Sequence, residues 1–166
     1  MGNPATIGYT RLGTGPKRVI VMHDWMADTS TWEPTRPYLS LEATSWVFAD
    51  LRSYGRSRGM GGPFDIERAA SDIVAVADAL GWDRFTVLGR GETPSMPKPR
   101  PVGVPLFAVT GELDAEPMRA EAVERHLAPL NAEVAVVPLA DSGHYPMQEE
   151  PPRFATAVER LLTPGA

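Results

Sequence analysis

Cysteine is absent from the 166-residue chain, which removes disulfide frameworks, thiolate nucleophiles and cysteine-ligated zinc together. Three histidines remain as possible metal ligands. Lysine is nearly absent too: Lys17 and Lys98 are the only two, and arginine supplies the rest of the 16 basic residues. That bias reads as genomic composition rather than function. The formal charge of −5 opposes a nucleic-acid grip, which needs clustered cations to displace counterions. Arg52, Arg56 and Arg58 cluster locally and read as a solvated or ion-paired loop. No apolar run approaches the roughly 20 residues that a bilayer span demands, and the opening MGNPATIGYT has neither the basic start nor the apolar stretch of a secretory signal. The expectation is a cytoplasmic protein with neither a membrane nor a nucleic-acid partner.

What is present is ordinary globular material. Hydrophobic residues make up 43% and charged residues 22%, proportions that exclude a wholly disordered chain or a coiled coil. The length fits one core, predicting a single domain over 1–166. Arg18-Val19-Ile20-Val21-Met22 is a continuous apolar run suited to a strand buried on both faces. Similar runs follow at Trp46-Val47-Phe48-Ala49, Phe85-Thr86-Val87-Leu88, Leu106-Phe107-Ala108-Val109 and Val134-Ala135-Val136-Val137, the last ending at Pro138. Between the second and third, Ile66, Ala69, Ala70, Ile73, Ala77 and Leu80 recur at helical spacing, with Asp65 placed to cap the start and Gly81 to end it. A second helix is predicted to start near Pro117, burying Met118, Ala122, Val123 and Leu127, and a third near Pro152 with Phe154, Val158, Leu161 and Leu162. Strands alternating with helices give an α/β fold with a mostly parallel sheet, and ligands belong at the carboxyl ends of its strands. One stretch breaks the rhythm: residues 90–105 carry Pro94, Pro97, Pro99, Pro101 and Pro105 and no helical pattern.

Polar groups close several strand ends in a set order: His23-Asp24-Trp25, then Asp50-Leu51-Arg52-Ser53-Tyr54-Gly55-Arg56-Ser57, then Gly111-Glu112-Leu113-Asp114 and Asp141-Ser142-Gly143-His144-Tyr145-Pro146. At these residues the chain resembles the α/β-hydrolase family, in particular its esterase and epoxide-hydrolase-like branch. The resemblance implies a three-layer sandwich, a small-molecule substrate or ligand, no metal and no organic cofactor. It implies a backbone N–H of Trp25 in an oxyanion hole, and a turn over Asp50 to Ser57 in which Ser53 replaces the usual first glycine. Independently of that likeness, a carboxylate on one imidazole nitrogen fixes the tautomer, stabilises the imidazolium and leaves the other nitrogen as general base. Asp114 and His144 are the candidate pair, in the order acid before histidine. Glu112 is the rival acid, His23 reads as a structural residue shaping its turn, and His126 as a surface residue on a helix. Ser57 reads as a turn or capping residue.

The nucleophile is where the pattern breaks. The family carries Gly-x-Ser-x-Gly after the strand that corresponds to Phe85-Thr86-Val87-Leu88, whereas this chain reads Gly89-Arg90-Gly91-Glu92-Thr93-Pro94. Gly91 stands where the serine would be and has no side chain to attack with. Ser95 and Glu92 are the nearest alternatives, and neither sits in a strained elbow. Relative to the family's usual length roughly 100 residues are missing, by an internal deletion or by omission of a segment from the sequence; 90–105 reads as a Pro-rich join in place of the elbow helix, the next strand and the lid, giving a truncated α/β-hydrolase-like chain. Loss of that strand and helix predicts an exposed sheet flank unless the two half-sheets close up, and a chain that is either marginally stable or a homodimer through that flank. Three functions are compatible with this reading: an ester or acyl hydrolase relative inactive by the serine route, a noncatalytic ligand-binding pseudoenzyme, and a His–Asp proton-abstraction enzyme of the cofactor-free oxygenase or lyase type.

Overall fold

The computed structural model describes residues 6–24, 27–89 and 103–163. They fall into two compact units, one drawn from Met1–Thr31 and Ser40–Glu92 and the other from Trp32–Leu39 and Thr93–Ala166.

The first unit is built on a four-stranded sheet. Its strands are β1 (Tyr9–Leu12), β2 (Lys17–Met22), β3 (Thr44–Ala49) and β4 (Thr86–Leu88), in the spatial order β1-β3-β2-β4. β2 runs parallel to both β3 and β4, and β1 is antiparallel to β3. With β3 on one side of β2 and β4 on the other, successive connections leave in opposite directions. That makes a topological switch point at the carboxyl end of β2, where His23 and Asp24 follow. Every residue of β3 is buried, as an apolar run in a parallel sheet requires. Fully burying side chains such as Trp46, Val47 and Phe48 contributes on the order of 1.5–3 kcal/mol each. β1 went unrecognised in the sequence because its pattern, half-buried with Arg11 exposed, is too short and polar to register against β3.

The helix α1 (Ile66–Ala79) forms where the periodicity placed it. The Asp65 side chain accepts the Arg68 N–H at 2.7 Å, and Gly81 follows in the left-handed region at φ 67°. The buried stripe starts one turn later than the apolar pattern suggested. Ile66 and Ala70 are exposed, and Asp72, Ile73, Val76 and Ala77 are buried. A buried carboxylate needs a partner. Arg52 supplies it with two bonds to Asp72, 2.6 and 2.9 Å, and a third to the Gly61 carbonyl at 2.8 Å. The Asp72 bond raises the Arg52 pKa further above its ordinary value. The turn after β3 is thereby tied to α1. Ile7, Ile20, Val47, Ala49, Ile73, Val76, Ala77 and Trp82 form the core of this unit.

The second unit has a parallel pair, β5 (Leu106–Gly111) and β6 (Val134–Leu139), with the helices α2 (Ala120–Leu127), α3 (Pro146–Glu149) and α4 (Pro151–Leu161). β6 does not stop at Pro138 but continues to Leu139, with Pro138 opposite Thr110. Among the described residues β6 pairs with β5 alone, so the missing proline N–H has a side on which no ladder needs it. α2 starts at Ala120 rather than near Pro117, which occupies a separate 3-10 turn over Glu116–Met118. Met118, Ala122, Val123 and Leu127 are half-buried rather than core residues. α4 buries Phe154, Ala155, Ala157 and Val158. The Trp32 ring stacks at a tilt 5.9 Å from Phe154, and the Thr35 hydroxyl donates to the Met147 carbonyl at 2.5 Å.

Asp50, which closes β3, organises the first unit's strand-end turns. Its carboxylate is buried and accepts the N–H groups of Thr29 and Arg56, each at 3.1 Å, and the Arg56 guanidinium at 3.2 Å. Its carbonyl accepts the Ser57 hydroxyl at 2.6 Å, and that hydroxyl accepts the Gly8 N–H at 2.7 Å. Gly55 is required here: it has φ 43°, and a Cβ would strike the Asp50 carboxylate. Ser53 also sits in the left-handed region at φ 66°, the conformation for which glycine is the usual choice. Burial by itself would raise the Asp50 carboxyl, but the bonds from Arg56 and Thr29 outweigh it and hold the pKa below its ordinary 3.8. A depressed carboxyl adds stability above its unfolded-state pKa and loses it as pH falls through the folded value. Asp50→Asn is therefore expected to cost roughly 2–3 kcal/mol at neutral pH by urea titration. The gap to wild type should hold steady on acidification and close only below 3.8; a gap that closes near neutrality would contradict this account.

Candidate active site

β5 and β6 end level, Gly111 opposite Leu139, so the loops that follow them start side by side. The Glu112 N–H donates to the Leu139 carbonyl at 3.0 Å and the Leu113 N–H to the Ser142 carbonyl at 2.9 Å. This approach depends on Gly111, because a Cβ there would run into the carbonyl oxygens of Ser142 and Gly143. The two loops thereby bring together residues 30 apart in the chain: the His144 Nδ1–H donates to Asp114 Oδ2 at 2.8 Å.

The geometry fixes the chemistry of the imidazole. Against an ionised carboxylate, which only accepts, a neutral imidazole carries its proton on Nδ1 and its basic lone pair on Nε2. The Asp114 side chain is 15% exposed and that of His144 44%, which leaves the acid sheltered and the imidazole accessible to a reactant. Asp114 is itself held in place. Its Oδ1 accepts the Ala115 N–H at 2.7 Å, and the Arg119 guanidinium donates to its carbonyl at 2.9 Å. The Tyr145 ring meets the imidazole edge-on at 5.2 Å. Behind the histidine loop, the buried Ser142 hydroxyl donates to Glu150 at 2.8 Å, and Arg153 bridges Glu150 and Asp141.

The other sequence candidates have different work. Glu112, the rival acid, accepts the Ala120 N–H at 3.0 Å and the Thr110 hydroxyl at 3.2 Å; it caps α2, and the carboxylate that reaches His144 is Asp114. His23 is 3% exposed, accepts the Leu51 N–H on Nε2 at 2.9 Å and donates from Nδ1 to the Asp24 carbonyl at 2.8 Å. Both of its nitrogens shape the backbone at the end of β2. His126 is exposed on α2. Trp25, Gly91, Glu92 and Ser95 lie outside the described residues. Among the described residues no cluster of histidine and carboxylate side chains could hold a metal ion, and no helix is long and apolar enough to cross a membrane.

A second feature lies in the first unit, at the carboxyl ends of β2 and β3: a polar cavity of about 310 Å³ whose lining includes Asp28, Ser30, Ser53, Tyr54 and Arg58. Asp28 turns the chain there by accepting the Ser30 N–H at 2.9 Å, and its bonds to Ser30 hold its carboxyl below the ordinary range. Half of its described lining, Ser53, Tyr54, Gly55 and Arg58, belongs to the turn and arginine cluster already notable in the sequence; Ala27, Asp28, Ser30 and Thr31 carried no such signal.

No protein-family model matches the chain, and no curated protein does. Solved structures do. A thermophilic esterase from Thermogutta terrifontis superposes with a TM-score of 0.75 at 16% identity, covering 94% of this chain and 92% of the esterase. An α/β hydrolase from the metagenome of sediments of the Mar Chica lagoon, Morocco, gives 0.75 at 13% identity, covering 96% of each chain. An epoxide hydrolase from Vigna radiata gives 0.69 at 14% identity, covering 93% of each. The chain has the α/β-hydrolase fold.

The close approach at Gly111 is directly testable. Gly111→Ala is expected to lower stability by about 2–3 kcal/mol in urea, the cost of forcing a methyl group into backbone that is already in contact. A loss under about 0.5 kcal/mol, the scatter of neutral surface changes, would mean that the two loops do not depend on this contact.

Proposed function

We propose that this chain descends from ester and acyl hydrolases and carries their proton-transfer pair, His144 and Asp114, without the covalent route. The observation that carries the reading is the 2.8 Å bond between Nδ1 of His144 and the Asp114 carboxylate. The fold shared with an esterase and an epoxide hydrolase supports the ancestry. In this role Nε2 of His144 takes a proton from water or from an acidic group of a small-molecule substrate. Asp114 holds the ring in register and stabilises the imidazolium that forms. General-base catalysis of this kind is worth about 10²–10⁴-fold in rate. Gly91 offers no oxygen to attack a carbonyl carbon, so no acyl-enzyme forms at that position and any hydrolysis proceeds by His144-assisted attack of water.

Because the pair is complete without a serine, it also supports a second reading, proton abstraction from the substrate itself. The polar cavity in the first unit supports a third, ligand binding without turnover. One pair of measurements separates the three. Treatment with an active-site-directed fluorophosphonate, read by intact mass, is expected to label no serine; stoichiometric labelling of Ser95 would overturn the loss of the covalent route. Turnover of an activated aryl ester is expected to fall about 100-fold in His144→Ala. An undiminished rate would remove His144 from the chemistry, while saturable ester binding with no turnover in the wild type would favour the binding role.

A further inference from the structure

His144 lies on an exposed loop, and its ring makes the bond to Asp114 from a side chain that is nearly half accessible. Its aim depends also on the backbone that carries it. That backbone is stapled from both sides by one residue. Oε2 of Glu149 accepts the Gly143 N–H at 2.6 Å, and Oε1 accepts the Tyr145 N–H at 2.8 Å. The two amides flank His144 immediately before and after it. Gly143 fits this arrangement, since a Cβ there would crowd the same carboxylate, 3.3 Å from Oε2.

We propose that Glu149 is a positioning residue for His144, its bidentate carboxylate fixing the backbone of residues 143–145 so that the imidazole meets Asp114; this rests on the His144–Asp114 reading above. A plainer role would be helix capping alone. Tyr145 is the N-cap of α3, and a carboxylate in the first turns of a helix commonly returns to the N-cap N–H. Capping accounts for the bond to Tyr145 but not for the one to Gly143, which lies outside the helix on the far side of the histidine. The neighbouring Glu150 secures the other half of the loop through Ser142, so two consecutive carboxylates divide the loop between them. Charge-assisted bonds of this kind are short and geometrically demanding, and placing a base to within a fraction of an ångström is what proton transfer requires.

The test is amide hydrogen exchange together with proton NMR on the full chain, comparing wild type, Glu149→Ala, Glu149→Gln and Asp114→Ala. Glu149→Ala is expected to accelerate exchange at both Gly143 and Tyr145 by about tenfold or more, and to erase the downfield Nδ1 proton resonance of His144 while the melting transition is retained. Glu149→Gln keeps one carbonyl acceptor, so it should leave one of the two amides protected and restore part of the ring signal, a rescue that simple fraying of α3 would not give. An undiminished ring signal in Glu149→Ala overturns the proposal. If that variant does not fold, Glu149→Gln decides alone, and unchanged protection at both amides with an unchanged ring signal overturns it. Failure of the underlying pair looks different: the downfield resonance would be missing from the wild type, or would survive Asp114→Ala.

Discussion

Two carbonyl oxygens lie against a residue that has no side chain, and the candidate site follows from that fit. Gly111 closes β5 where the backbone of Ser142 and Gly143 passes. Only there can the loop after β6 come close enough for the Leu113 N–H to reach the Ser142 carbonyl. The parallel register sets both strand ends at one level, the glycine lets the loops touch, and the bond between Asp114 and His144 is the outcome. The order of causes matters. An exposed imidazole bonded to a carboxylate contributes little to folding in solvent, so the pair does not hold the loops together; the loops hold the pair.

The first unit solves a similar problem with charge instead of close approach. The turn after β3 must leave the sheet edge without stranding its amides, and Asp50 gathers the N–H groups of Thr29 and Arg56 on one buried carboxylate. Arg52 then ties the same turn to α1 through Asp72. In both units, side chains that accept from backbone N–H groups fasten the strand ends, Asp50 in one and Glu112 and Glu149 in the other. Loops built this way can remain accessible, as a reacting group must be, without being loose.

Much of this was legible in the residues. Continuous apolar runs marked β2 to β6, since a parallel strand is apolar throughout, and Asp65 and Gly81 bracketed α1 because a cap and a left-handed stop each demand a particular residue type. The pairing of Asp114 with His144 followed from chemistry and chain order. What escaped were features that depend on three-dimensional neighbours. β1 is half polar and exists because β3 offers it an edge. Pro138 looked like a terminator, but among the described residues it sits where no ladder bond is needed. Glu112, two residues before Asp114, stayed a rival acid because its role depends on the 3-10 turn that displaces α2 and puts the Ala120 N–H within reach of its carboxylate. Glu149 gave a faint signal, an acidic pair ahead of two prolines five residues after His144, which reads as a helix start unless the backbone it grips is known.

The central claim is that the loops present a histidine whose Nδ1 is committed to Asp114 and whose Nε2 is the base. The nitrogen-15 chemical shifts of the His144 ring, recorded on uniformly labelled protein at alkaline pH, read this directly. The account predicts a single tautomer, protonated at Nδ1 with a pyridine-like Nε2, that reverts to an average of the two forms in Asp114→Ala. An averaged or Nε2-protonated ring in the wild-type protein would contradict it.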